Sequence, residues 1–250
     1  MKNNLTALLL IAVLLFVFTF SLLFTETYAQ PNQNKIEVGE EITYVVKYLS
    51  FEIGEIKLIV QKEQLVDGDT LYSAIAYINS YEGIPFVDLH QIYETKFDTK
   101  QISHYFKGSV LADDTTFTKY HFNKNKNDIH IVKGRERTND IWTDTTIAYN
   151  RDYQDGLSLF YFARIRTGQE KKVNVPVFIN EKYEKTYINF YKEVEDMDID
   201  AVDYDISCVR LDGETEFRGI FGLTGYFEGW FSNDQYAVPI VAKMEVLIGS

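Results

Sequence analysis

The stretch Asp152-Tyr-Gln-Asp-Gly-Leu-Ser-Leu-Phe-Tyr-Phe-Ala-Arg-Ile-Arg-Thr-Gly168 is where this chain changes its period. Most of what surrounds it alternates between apolar and polar residues, as strands do. Here Leu157, Phe160, Tyr161 and Arg164 share one face at three- and four-residue spacing, which predicts a helix over residues 155–167. Asp155 suits the start, because its carboxylate can accept the free amides of the first turn. Gly168 can take the left-handed turn that ends a helix, just after Arg164 and Arg166, whose charge suits the negative end. One helix in a strand-patterned chain reads as a plug against which a large antiparallel sheet packs.

Working outward, Ile42, Tyr44, Val46 and Tyr48 alternate with Thr43, Val45 and Lys47, a first strand. Gly54 interrupts the pattern, residues 56–63 form a second strand, Asp67-Gly-Asp-Thr70 a hairpin turn, and residues 71–80 a third strand. Residues 117–122 and 128–133 flank the polar run Asn123-Lys-Asn-Lys-Asn127, another hairpin. Pro176 cannot donate to a ladder, so the strand at 172–179 belongs at an edge or a bulge. The acidic run Glu195-Asp-Met-Asp-Ile-Asp200 reads as a solvated loop, and Gly219-Ile-Phe-Gly-Leu-Thr-Gly225 as a sheet corner. The expected fold is mainly β. A large curved antiparallel sheet, a half-barrel or open barrel, carries one packed α-helix near 155–167, behind an N-terminal signal helix.

The chain has 250 residues and a formal charge of −12. Lys2 precedes a run over residues 5–23 that only Thr6, Thr19 and Ser21 interrupt, and Thr27-Tyr-Ala29 suits cleavage after Ala29. Residues 1–29 therefore read as a signal peptide, residues 30–35 as a linker and residues 36–250 as one β-rich domain. An uncleaved anchor is the alternative, since the apolar run is long enough to span a bilayer. The expected location is outside the cytoplasm, periplasmic or extracellular. The acidic balance argues against nucleic acid or anionic lipid as a partner. Cys208 is the only cysteine, so no internal disulfide forms, and its strand context reads as a small buried residue.

No common catalytic set has suitable spacing. His121 and His130 face each other across the predicted hairpin, but two histidines alone make a poor zinc site. Ser158 lies at the helix start outside any Gly-x-Ser-x-Gly elbow, and Asp152 with Asp155 is better explained by capping than by glycosidase chemistry. Arg164 sits on the apolar face and needs a partner if buried; Asp234, beside Trp230, is the candidate. With 18 Tyr and 18 Phe, rings either fill the core or line a cavity for an apolar or sugar ligand. Asp155, Tyr161, Arg164, Trp230 and Asp234 are thus the candidate ligand-binding or structural residues. No catalytic residue, metal ligand or cofactor is assigned.

The chain resembles the bacterial exported family called domain of unknown function 3108. The resemblance rests on Gly39-Glu-x-Ile-x-Tyr44 followed by Gly54, on Tyr93-Glu-Thr-Lys-Phe-Asp98, on Asp155-Gly-Leu-Ser-Leu-Phe-Tyr-Phe-Ala-Arg164, and on Trp230-Phe-Ser-Asn-Asp234 leading to Pro239-Ile-Val-Ala-Lys243. It implies an exported domain of curved antiparallel sheet, with no known activity, and a chain that continues past the final Gly-Ser. The expected role is a non-catalytic envelope module binding an apolar or lipid-like ligand. The alternatives are an assembly protein without a small ligand, pairing through the edge strand at 172–179, and a hydrolase using Ser158, Asp155 and a histidine.

Overall fold

A computed structural model describes residues 36–66, 68–85, 87–217 and 224–244. The predicted signal segment and linker, most of the Gly-rich corner and residues 245–250 lie outside the described residues. Among the described residues, thirteen strands and one α-helix fall in the unit Asn34–Ser250. Eight strands follow one another in chain order across the first sheet: β1 (Glu41–Tyr48), β2 (Phe51–Val66), β3 (Asp69–Ser80), β4 (His90–Phe97), β5 (Ser103–Val110), β6 (Thr116–Asn123), β7 (Asp128–Arg135) and β8 (Ile141–Ala148). The helix α1 (Ser158–Ile165) comes next. A second antiparallel meander follows: β9 (Lys171–Ile179), β10 (Lys182–Met197), β11 (Ile206–Thr215), β12 (Gly225–Ser232) and β13 (Pro239–Met244). The fold is mainly β with one helix, as the periodicity implies. The strands divide into two sheets instead of one, and neither closes into a barrel.

The helix lies between the sheets. Leu157 and Tyr161 pack with Leu58, Val60, Ala74, Ala76 and Phe97 of the first sheet. The alanines on β3 leave room for Tyr161, whose ring stacks 5.0 Å from that of Phe97. On the other flank Ala163, with Leu159 and Phe162, packs on Val175, Ile188, Phe190, Val209, Leu211 and Phe231 of the second sheet. The sequence shows the first flank as a stripe. The second flank becomes apolar surface in need of cover only once another sheet exists to meet it. Beyond the helix the sheets touch directly, with Phe178 of β9 set edge-on to Tyr120 at 5.0 Å and to Phe122 at 5.9 Å.

Three local readings change. Strand β2 begins at Phe51 and runs through Gly54, where an added Cβ would lie 2.4 Å from the Asn79 carbonyl oxygen. That glycine marks a close approach of two strands, not a break. The acidic run begins inside β10, which continues to Met197, and Glu195 faces a partner there. The helix itself spans Ser158–Ile165, shorter than 155–167, because a turn precedes it. Gly168 does adopt a positive φ, +72°, just after it.

Candidate functional site

Asp155 is fully buried, and its carboxylate is the centre of a sealed polar node. Oδ1 accepts the amides of Leu157 at 2.8 Å and Ser158 at 2.9 Å, the first-turn amides a capping carboxylate takes. Oδ2 accepts the hydroxyls of Thr95 on β4 at 2.6 Å and Ser103 on β5 at 2.7 Å. Burial raises the Asp155 carboxyl above its ordinary value, although all four donors favour its charged form. The next residue back, Gln154, makes a parallel bridge to Val177 on the outer side of β9. One short segment therefore ties the helix start to both sheets. It also occupies part of the edge on which the sequence suggested an incoming strand would pair. Ser158 Oγ bonds to Ser103 Oγ at 2.7 Å and to the Asp155 amide at 2.9 Å, and no histidine is among its hydrogen-bond partners.

Arg164 forms the second node. It is fully buried, and its guanidinium grips Glu40, the residue before β1, with both terminal nitrogens. The Tyr236 and Ala237 carbonyls, between β12 and β13, accept Nε at 3.1 Å each. Asp234 is therefore not the partner of this charge. Its Oδ1 accepts the amides of Tyr236 and Ala237 at 2.8 and 3.0 Å and so shapes the turn that offers those carbonyls. Beside this node the Tyr44 phenol donates to the Pro239 carbonyl at 2.8 Å, and burial pushes the hydroxyls of both Tyr44 and Tyr161 up.

Trp230 sits apart, on the outer face of the second sheet. Its indole donates to Glu195 at 2.6 Å, and Lys243 lies 4.8 Å above the ring. The same face carries Asp212, bonded to Asn189, Tyr191 and Arg210, and Glu228, bonded to Arg210 at 2.9 Å. Burial and then the carboxylates of Asp212 and Glu228 push the Tyr226 phenol up to about 12. These groups largely satisfy one another across strands. A shallow cleft of mixed lining, about 420 Å³, with Tyr153, Val175, Pro176, Tyr183, Lys185 and Glu216 in its walls, borders the face at β9. His121 and His130 do pair across their hairpin, ring centroids 6.1 Å apart. Among the described residues no group of three or more His, Cys, Asp or Glu is placed to hold a metal ion. Cys208 is buried, its thiol pushed up to about 11 by that burial.

The five candidates thus do not share one pocket. Asp155, Tyr161 and Arg164 join the helix to the sheets, Asp234 supports Arg164 through a turn, and Trp230 is buried beneath Glu195 and Lys243 on the other face of the second sheet. What the sequence reading missed is at the surface. In a meander, alternate turns lie at opposite ends of the sheet. At one end of the eight-stranded sheet two turns are polar, built from Asp98, Thr99 and Lys100 and from residues 123–127, while Leu65, 78 % exposed, and Val66, 46 % exposed, close β2 beside the third. At the other end Leu49 is 75 % exposed, Phe51 73 % and Trp142 49 %. Tyr81, Leu111 and Ile141 stand exposed on the same crest. Leu49 and Ser50 both have positive φ, 47° and 72°, in the tight turn between β1 and β2. That conformation normally selects Asn-Gly, so an apolar side chain is held out against local preference. The signal was present in the sequence as apolar residues at turn positions.

The family described as protein of unknown function (DUF3108) matches residues 43–250. The chain belongs to the DUF3108 family. No curated protein and no solved structure matches it at a significant level. The four pieces that mark this DUF3108 chain meet in three dimensions. Glu40 and Tyr44 come from the first, Thr95 and Phe97 from the second, Asp155, Tyr161 and Arg164 from the third, and Asp234 and Pro239 from the last. In this DUF3108 domain they build the joint between sheets, leaving the crest and the cleft to other residues.

Proposed function

We propose that this chain is an exported, non-catalytic binding module that meets an apolar, lipid-like partner with the crest of the eight-stranded sheet. The observation that carries this reading is the row of exposed apolar residues on the crest, led by Leu49 at 75 % and Phe51 at 73 % exposure in a turn of positive φ. An apolar ligand between the sheets has little support, because α1 and the rings of Phe97, Tyr120, Phe122 and Phe178 pack that space. The 420 Å³ cleft at β9 sets Arg151, Glu184, Lys185 and Glu216 beside its apolar walls, charges that an apolar molecule would strip of water without replacing their hydrogen bonds. Exposed apolar residues grouped at one end of a domain mark interaction surfaces. The assembly reading keeps the crest but loses much of its other support, since Gln154 covers part of the β9 edge.

A photoreactive residue placed at Phe51, and in a second strain at Asn125 on the opposite end, tests this in cells. Adducts from position 51 and none from position 125 support the reading. Absence of adducts at 51, or equal adducts from both, overturns it.

A further inference from the structure

Resting on the crest as the binding surface, we infer that its partner is the surface of a zwitterionic lipid bilayer. The first argument is shape. The crest is a row of separate projections at the ends of β1–β2, β3–β4, β5–β6 and β7–β8. Strands lie about 4.8 Å apart, so neighbouring turns stand roughly 10 Å from each other. A protein partner would need a matched hole for each projection to reach the packing density of an interface core. Acyl chains and headgroups, being fluid, close around separate knobs without any such match.

The second argument is residue type. Leu49 and Phe51 reach furthest into solvent on the crest, Tyr81 stands on the next turn, and Trp142 lies on β8 at the other edge of the sheet. Apolar tips in one row with Tyr and Trp are residue types that straddle the boundary between headgroups and hydrocarbon. Arg135 lies 5.5 Å from the Trp142 ring and pairs with Asp140 at 3.4 Å and Asp114 at 3.9 Å, so these turns hold their cations among their own carboxylates.

The third argument is charge. The turns that carry the crest hold Glu52, Glu82, Asp88, Asp113, Asp114, Glu136 and Asp140 against Lys47, Arg135 and Arg137. That surplus of carboxylates repels an anionic leaflet and leaves a zwitterionic one unopposed.

The test is co-sedimentation of the mature chain with vesicles of phosphatidylcholine, and with vesicles in which half is replaced by phosphatidylglycerol. Binding to the first should fall at least tenfold in L49S/F51S/W142S, with an unchanged far-ultraviolet spectrum and unfolding midpoint. Binding to the second should be several-fold weaker than to the first. D113K/D114K should raise it, a gain that misfolding does not produce. Stronger binding to the anionic vesicles by the unaltered chain overturns the inference. Absence of binding to either vesicle, while position 51 still crosslinks to a protein in cells, overturns the bilayer and the lipid-like partner and leaves only the crest as the contact surface. Neither vesicle binding nor crosslinks would remove both.

Discussion

Arg164 and Glu40 stand 124 residues apart in sequence and meet through a two-pronged ion pair, with Arg164 Nη2 2.7 Å from Glu40 Oε2. The arginine side chain is fully buried and the glutamate 19 % exposed. The pair fastens the helix to the entry of the first sheet, and the carbonyls of Tyr236 and Ala237 fasten it to the second. Removing one partner of such a pair strands the other charge away from water. The E40A substitution should therefore cost about 3–5 kcal/mol in urea unfolding. D234A, which only loosens the turn, should cost about 1–2 kcal/mol. The reverse order would return Asp234 to the role of charge partner.

Two buried carboxylates should respond to acid in opposite directions. Burial alone would raise the Asp98 carboxyl, but His104 and the amides of Ile102 and Lys100 hold it below its ordinary 3.8. Its stabilising contribution is present above that value and is lost as pH falls through its lowered one. For Asp155 burial outweighs the donors and raises the carboxyl above 3.8. Its contribution is present below the ordinary value and is lost as pH rises through the raised one. Measured by urea midpoints from neutral pH down to roughly pH 3, the advantage of the natural chain over D98N should shrink with acid. Its advantage over D155N should grow. A parallel response of the two variants would show that one of these environments is misassigned.

Gly54 supports a close strand approach, so G54A should cost about 1–3 kcal/mol despite adding a single methyl. The obstacle is the Asn79 main chain, which cannot swing aside as a side chain would. Thermal unfolding of G54A within a degree of the natural chain would contradict this.

The turn at Leu49 and Ser50 predicts a gain. Replacing it with Asn-Gly (L49N/S50G) removes two strained positive-φ residues and should stabilise the domain by about 1 kcal/mol. The increase would show that Leu49 is retained at a cost to stability. A fall in melting temperature would mean instead that Leu49 packs usefully in the folded domain.

These cases separate what is local from what is not. The carboxylate of Asp155 takes amides two and three residues ahead, a geometry the chain imposes on itself as soon as the helix starts. The pairing of His121 with His130 needs only a short hairpin. Gly54 looked like a break because strand propensity counts its missing side chain and not the neighbouring strand that requires it to be missing. The crest escaped notice because a turn residue's exposure depends on what stands around it.

From its residues alone, this chain is committed to alternating strands, to one helix opening at Asp155, and to a buried arginine in need of a counter-charge. Each follows from contacts within a few residues or from the cost of leaving a charge dry. Three-dimensional packing decided the rest: that the strands split into two sheets, that Glu40 and not Asp234 answers Arg164, and that Leu49, Phe51, Leu111 and Ile141 come to the same end of the first sheet. Alternation has the same period whichever sheet a strand joins, and a long guanidinium accepts any carboxylate that packing brings to it.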